Sequence, residues 1–246
     1  MSKAAGAPSR VYVDAIDLSG LSNSFEMNVD VNLPEITTFD DTGDTNVESK
    51  YGAQVTINGF MDADDDANDE TMWATLGANT QHKLGLYPGS AATYGSFGYE
   101  LLARPKNQVR PVDVKAALLL NMTFLTDSAI VRSTVLANKA ITGSGVVANS
   151  AQQTGATSAG ERLVMVIRCI AFTGTNLTVD LEQSSDNAVG DPYALITAMQ
   201  QAITAVGSWR LTTILATEAW KRINITAFTG TSMTLLIAIG KEQGVS

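Results

Sequence analysis

From Ser24 to Leu33 the chain alternates without a break: Phe25, Met27, Val29, Val31 and Leu33 are apolar, while Glu26, Asn28, Asp30 and Asn32 between them are polar. A period of two sends one set of side chains to each face of a pleated backbone, so this run predicts a strand buried on one face. Pro34 has no N–H to donate and ends it. The period resumes at Ala53, Val55 and Ile57. Between them lies Glu35 to Ser49, a polar, acidic loop longer than a hairpin connection requires; such loops in compact domains are usually functional or without structure of their own. Next, Met61 to Gly77 predicts one short helix, with aspartates at its positive end ahead of Thr71, Met72, Trp73 and Leu76, and Gly77 to stop it. Lys83 to Tyr87, Phe97 to Ala103 and Val112 to Leu125, divided by Pro88-Gly89, Pro105 and Pro111, predict three more strands.

A segment rich in small and polar residues, Thr142 to Gly160, interrupts this pattern, and the expected organisation is therefore a domain over 1–141, a linker over 142–160 and a second domain over 161–246. The second domain repeats itself. Ala171-Phe172-Thr173-Gly174-Thr175, with Thr178 beyond it, returns 56 residues later as Ala227-Phe228-Thr229-Gly230-Thr231, with Thr234. Each copy has a β run before it, Leu163 to Ile170 and Lys221 to Thr226. After each comes an alternating run, Leu177, Val179, Leu181 and then Met233, Leu235, Ile237, Ile239. The expected unit is strand, Thr-Gly-Thr turn, strand, and two such hairpins facing each other would make a small sandwich. Asp191-Pro192 through Val206-Gly207 supports two readings. A cap, a first-turn proline and the spacing of Leu195, Met199, Ile203 and Val206 suit a helix, whereas Tyr193, Leu195 and Thr197 alternate like a strand.

Composition adds that these elements belong to a folded chain: among 246 residues, 45% are apolar and 17% charged, inside the globular range. No run reaches the ~18 consecutive apolar residues a spanning helix needs; the apolar stretch Leu163 to Phe172 is interrupted by Arg168. A soluble protein with no membrane partner is expected. The opening MSKAAGAPSR lacks the apolar core of a secretory signal, so synthesis in a cytosol is expected, and the sequons at Asn121, Asn176 and Asn224 are expected to stay bare. One cysteine cannot form an internal disulfide or a thiolate cluster. The net charge is −9, and eleven of the 25 acidic residues lie between Glu35 and Glu70, where Lys50 is the one base. Proteins that grip nucleic acid through phosphates need the opposite sign, because their affinity comes from cations displacing counterions. Direct DNA binding is not expected.

The search for chemistry finds no catalytic, cofactor-binding or metal-binding residue to predict. His82 is the single histidine and has no nucleophile motif beside it, so a surface or rim position is expected. Asp62-Ala63-Asp64-Asp65-Asp66-Ala67 begins like a calcium loop, but Ala67 stands where the glycine belongs and Trp73 where the closing carboxylate belongs. Cys169, between Arg168 and Ile170, is expected to be a buried packing residue. Asp180 and Glu182 share one face of a predicted strand whose other face is Leu177, Val179 and Leu181, and alternation accounts for them without glycosidase chemistry.

The run Val11-Tyr12-Val13-Asp14-Ala15-Ile16-Asp17-Leu18-Ser19-Gly20, followed by Glu35-Ile36-Thr37-Thr38-Phe39-Asp40-Asp41, resembles the opening of the major tail proteins of long-tailed bacteriophages. The order strand, long loop, strand, short helix, paired strands is similar to their tail-tube fold over residues 10 to 130. The C-terminal portion is similar to β-sandwich modules appended to such proteins, on the phrase AFTGT and on Val179-Asp180-Leu181-Glu182-Gln183-Ser184-Ser185-Asp186-Asn187. The resemblance implies a mainly β chain: an N-terminal tail-tube-like barrel or sandwich with one short helix, and a C-terminal jelly-roll-like sandwich. It implies a structural, non-enzymatic virion protein that forms stacked, hexameric rings with copies of itself and joins other tail proteins. Genomic DNA would pass down the lumen without specific binding, in a tail assembled in the host cytoplasm. The acidic loop, with Glu35, Asp40, Asp41, Asp44 and Glu48, is then the expected assembly element. The alternatives are a head-decorating or baseplate-associated protein, and a carbohydrate-binding module with Trp209 and Trp220 as its glycan contacts.

Overall fold

A computed structural model describes residues 9–20, 22–31, 51–60, 80–109, 119–127 and 129–242. All the regular structure among them is antiparallel β, with no helix. The helix expected over Met61 to Gly77 and the loop from Glu35 to Ser49 lie outside the described residues. The chain forms two compact units, each assembled from separated segments: Met1–Asp17, Lys83–Glu100 and Val131–Glu242 in one, Leu18–His82 and Leu101–Ile130 in the other.

The first unit is built on two very long strands, β11 (Leu163–Ser184) and β14 (Trp220–Glu242), which pair antiparallel along almost their whole length. They contain the two AFTGT phrases, and those phrases are not turns. Each lies mid-strand and the two copies face each other, with Gly174 opposite Gly230, Thr173 opposite Ser232 and Asn176 opposite Thr229. The expected hairpins are thus replaced by one ladder whose register shifts on both sides of Gly174. Glycine is needed there for closeness of backbones: a Cβ on Gly174 would stand 2.6 Å from the Thr229 carbonyl oxygen, and one on Gly230 would stand 2.6 Å from that of Thr173.

Alternate residues on either side of this crossing, among them Met165, Ile167, Cys169, Leu177, Val179, Leu181, Ile223, Ile225, Leu235 and Ile237, form a single hydrophobic cluster. Burying a side chain of this kind contributes about 1.5–3 kcal/mol, so this cluster is the main source of the unit's stability. β13 (Gly207–Thr213) pairs with the first half of β11, and β12 (Ala194–Ile203) with the second half. On the far side of β14 lie β8 (Val131–Ile141), β9 (Gly145–Val146) and β10 (Gln152–Gln153). β9 and β10 are short and both add to the ladder on β14.

The ambiguous stretch 191–207 is a strand over β12, and its helix-like spacing has a local cause. Opposite Asp180 and Glu182 stand Gln200 and Leu195, so three extra residues bulge out of β12, and Ala198 takes φ 67° there. The bulge brings Ile196 and Met199 to the same buried face as Ile203. A bulged strand thus copies the i, i+3, i+7 apolar pattern of a helix.

Completing the first unit, β1 (Arg10–Val13) turns through Asp14-Ala15 into β2 (Ile16–Asp17) and pairs on its other side with β5 (His82–Tyr87). Asp14 takes φ 53°, a conformation aspartate tolerates better than most residues. The first residues of β6 (Phe97–Val109) pair with β8. In the second unit β3 (Ser22–Val31), β4 (Tyr51–Phe60), β7 (Leu119–Thr126) and the remainder of β6 form an antiparallel ladder in that order. Pro105, expected to separate strands, lies within β6, at a register shift where a missing N–H is tolerated.

Candidate functional site

The most unusual chemistry in the first unit is a buried ion pair absent from the sequence reading. Arg168 projects from β11 with 0% of its side chain exposed, and Glu100 from β6 with 2%. The guanidinium donates from Nη1 to Glu100 Oε1 at 2.9 Å and from Nη2 to Glu100 Oε2 at 2.6 Å, a bidentate fork, and Nη2 also donates to the Lys83 carbonyl at 3.3 Å. The Tyr87 hydroxyl donates to the same carboxylate. The Tyr12 ring lies 5.8 Å from the guanidinium carbon and edge-on to Tyr87, 6.0 Å between centroids.

Space for these groups comes from two glycines. A Cβ on Gly85 would stand 2.8 Å from the Arg168 guanidinium, and one on Gly98 would overlap the Tyr87 ring. Burial opposes the charge on Arg168, but Glu100, Tyr87 and Asp14 together outweigh it and the guanidinium is held more firmly protonated than usual. Burial, reinforced by Glu100, pushes the Tyr87 hydroxyl well above its ordinary range, and burial pushes Tyr12 up to about 12. With its oxygens taken up by Arg168 and Tyr87 and no solvent at hand, the cluster fastens β1, β5 and β6 to β11. The sequence signals were Arg168 inside an apolar run and the glycines of β5 and β6, each unremarkable alone.

The residues weighed for catalysis are engaged elsewhere. Asp180 is buried and accepts from Gln200 at 2.8 Å; Glu182 accepts from Arg222 at 2.6 Å and Asn224 at 2.7 Å. Cys169 is fully buried in the main cluster, and burial pushes its thiol up to about 11. His82, expected at the surface or rim, is 8% exposed, with Nε2 3.0 Å from the Thr80 hydroxyl. Of the candidate glycan contacts, Trp209 lies half-buried against the main cluster, with its indole 3.1 Å from where a Gly207 Cβ would be. Trp220 begins β14 between Gln153 and Ser184. Glu35, Asp40, Asp41, Asp44 and Glu48 lie outside the described residues.

What the second unit offers is an edge. β3 pairs with β4 on one side, and no other described strand pairs with it. Its apolar row sits opposite a fully packed one: Phe25 faces Ile57, Met27 faces Val55 and Val29 faces Ala53. Ile57, Val55 and Ala53 are buried, yet Phe25 and Met27 are only half-buried and Val29 is 45% exposed. A strand edge without a partner among the described residues, beside exposed apolar side chains, makes a surface suited to another chain.

No family model matches the sequence, and no curated protein matches it. Among solved structures, the chain is similar to a component of the virion of a native gene transfer agent particle, at 7% identity and TM-score 0.39, over 52% of this chain and 96% of that one. It is similar to the Dit protein of phage SPP1, described as a paradigm of hub adsorption apparatus in phages infecting Gram-positive hosts, at 10% identity and TM-score 0.39, over 95% and 98% of the two chains. A chain of the phage p2 baseplate in its activated conformation follows at 10% identity and TM-score 0.36, over 96% and 98%. The structural similarity is distant, and it runs to phage and gene-transfer-agent tail and baseplate proteins.

Proposed function

We propose that this chain is a structural subunit of a bacteriophage tail, and within that class a tail-tube subunit that forms stacked, hexameric rings through which genomic DNA passes without specific binding. The observation that carries the reading is the β3 edge: a ten-residue strand paired on one side among the described residues, with Phe25, Met27 and Val29 incompletely buried. A neighbouring copy that pairs with this edge would satisfy its backbone groups and cover its apolar row, and repetition of that contact by rotation closes a ring.

A second support is local. The phrase Val11-Tyr12-Val13-Asp14, on which the resemblance to tail proteins rests, forms β1 and the turn after it, with Val11, Tyr12 and Val13 at 2% exposure or less. The glycan-binding alternative calls for aromatic rings free to stack on a sugar, whereas Trp209 is turned onto the core.

Electron microscopy of virions and of the purified protein tests the reading. Stacked rings along a tail are the expected outcome; density confined to the capsid or to the tail tip would replace the tube with the decoration or baseplate alternative. Deleting 35–49 is expected to leave a folded monomer without rings, and tubes of normal form from that deletion would remove the loop from assembly.

A further inference from the structure

The first unit carries a preformed aromatic and cationic face that its own core does not use. Tyr99 on β6 stands directly opposite Arg132 on β8, and Arg132 directly opposite Lys241 on β14. Directly opposed residues of an antiparallel ladder project to the same side, and so do residues two apart, which adds Phe97. Phe97 is 44% exposed and packs edge-on against Tyr99, 6.3 Å between centroids. The Arg132 guanidinium lies 5.5 Å from the Phe97 ring centre, is exposed, and pairs with no carboxylate among the described residues. Lys241 reaches only Glu161, at 3.5 Å, with 37% of its side chain exposed. Aromatic and arginine side chains held in advance are the groups that dominate protein interfaces.

The chain itself contains the complement. Between Val31 and Tyr51, which face each other across the β3–β4 ladder, run residues 32–50, nineteen in all. A segment that leaves and returns at one point with that many residues can extend up to ~30 Å from it, enough to reach a second molecule. Its sequence Glu35-Ile36-Thr37-Thr38-Phe39-Asp40-Asp41 offers one aromatic anchor bracketed by carboxylates, and no base before Lys50. In a protein of net charge −9, an unpaired arginine stacked on an exposed ring is a rare place where an acidic segment is attracted rather than repelled.

We propose that the Phe97, Tyr99, Arg132 and Lys241 face is the docking site for the segment 35–49 of a second copy, with Phe39 set against the aromatic pair and Asp40 and Asp41 against the two cations. This rests on the reading that the chain self-associates. A labelled peptide of residues 35–49 is titrated into the full-length protein and followed by fluorescence anisotropy. Saturable binding is expected, weakened roughly tenfold or more in Arg132→Glu, weakened also by Phe39→Ala in the peptide, and restored on Arg132→Glu by a peptide carrying Asp40→Lys and Asp41→Lys. Circular dichroism checks that Arg132→Glu keeps its fold; if it does not, Phe97→Ser supplies the same comparison. No binding by the wild type, equal binding by the folded variant, or equal displacement by polyglutamate would overturn the proposal. Rings on virions together with unchanged peptide affinity in Arg132→Glu would sink this inference and leave the tail reading standing. Specific peptide binding without rings would do the reverse.

Discussion

Arg168 and Glu100 show how one residue can decide where several elements sit. Taking two charges out of water costs several kcal/mol each, and their attraction offsets this only when the geometry is good and the remaining polar atoms are met. Here a bidentate fork, the Lys83 carbonyl and the Tyr87 hydroxyl supply those contacts, although Arg168 Nε has no partner among the described residues. Removing one member should therefore hurt far more than removing both. Arg168→Met is expected to destabilise by roughly 3–5 kcal/mol by leaving the Glu100 carboxylate buried without a counter-charge, while Arg168→Met combined with Glu100→Leu and Tyr87→Phe regains most of that loss. Denaturant unfolding of the singles and the combination measures the coupling. Strict additivity, or a single-variant effect below about 1 kcal/mol, would mean that the pair adds little beyond its packing.

The two AFTGT phrases make their case at the scale of the element. Strands average some five or six residues, so glycine flanked by threonines predicts the end of one strand and the start of the next. The actual strands are 22 and 23 residues long and pass straight through the phrase. Alternation after the glycine was legible, because Leu177, Val179 and Leu181 face the core as expected, whereas Leu163 to Cys169 before it are buried without a break. The glycine's role was not, since a hairpin turn and a close crossing of two strands demand the same residue for different reasons. The ion pair was hidden likewise, because one charge in an apolar run does not reveal its partner 68 residues away. Close crossing has its own consequence. Gly174→Ala and Gly230→Ala should each cost about 1–3 kcal/mol as the new methyl meets backbone, whereas Gly143→Ala, with open space around it, should change stability by less than about 0.5 kcal/mol. Equal melting temperatures for all three variants would show that the strands can separate at the crossing without loss.

For the molecule as a whole, buried titratable groups set how stability responds to alkali, and their signs differ. Burial lowers Lys221 from 10.5 to about 8, with its ammonium donating to the Gly155 and Glu218 carbonyls. The unfolded chain therefore holds a proton there that the folded one has released, and stability rises as pH climbs from 8 towards 10.5. Cys169 goes the other way: burial raises it from 9.0 to about 11, so its contribution is complete below 9 and is lost between 9 and 11. Tyr12, raised from 10.0 to about 12, and Tyr87, raised well above its ordinary range, keep protons that the unfolded chain loses from pH 10 upward, and both withdraw stability above that point. Each group changes the slope by about 1.4 kcal/mol per pH unit at most. The sum is a rise from pH 8 to 9 on Lys221 alone, a plateau from 9 to 10 where Lys221 and Cys169 cancel, and a steep fall above 10 as two tyrosines join the thiol. Unfolding free energies at half-unit steps from pH 7.5 to 11 would trace this profile. Lys221→Met should remove the initial rise and keep the fall; Cys169→Ala should turn the plateau into a continued rise. A decline from pH 8 onward, identical in wild type and Lys221→Met, would show that the Lys221 ammonium is not held out of water.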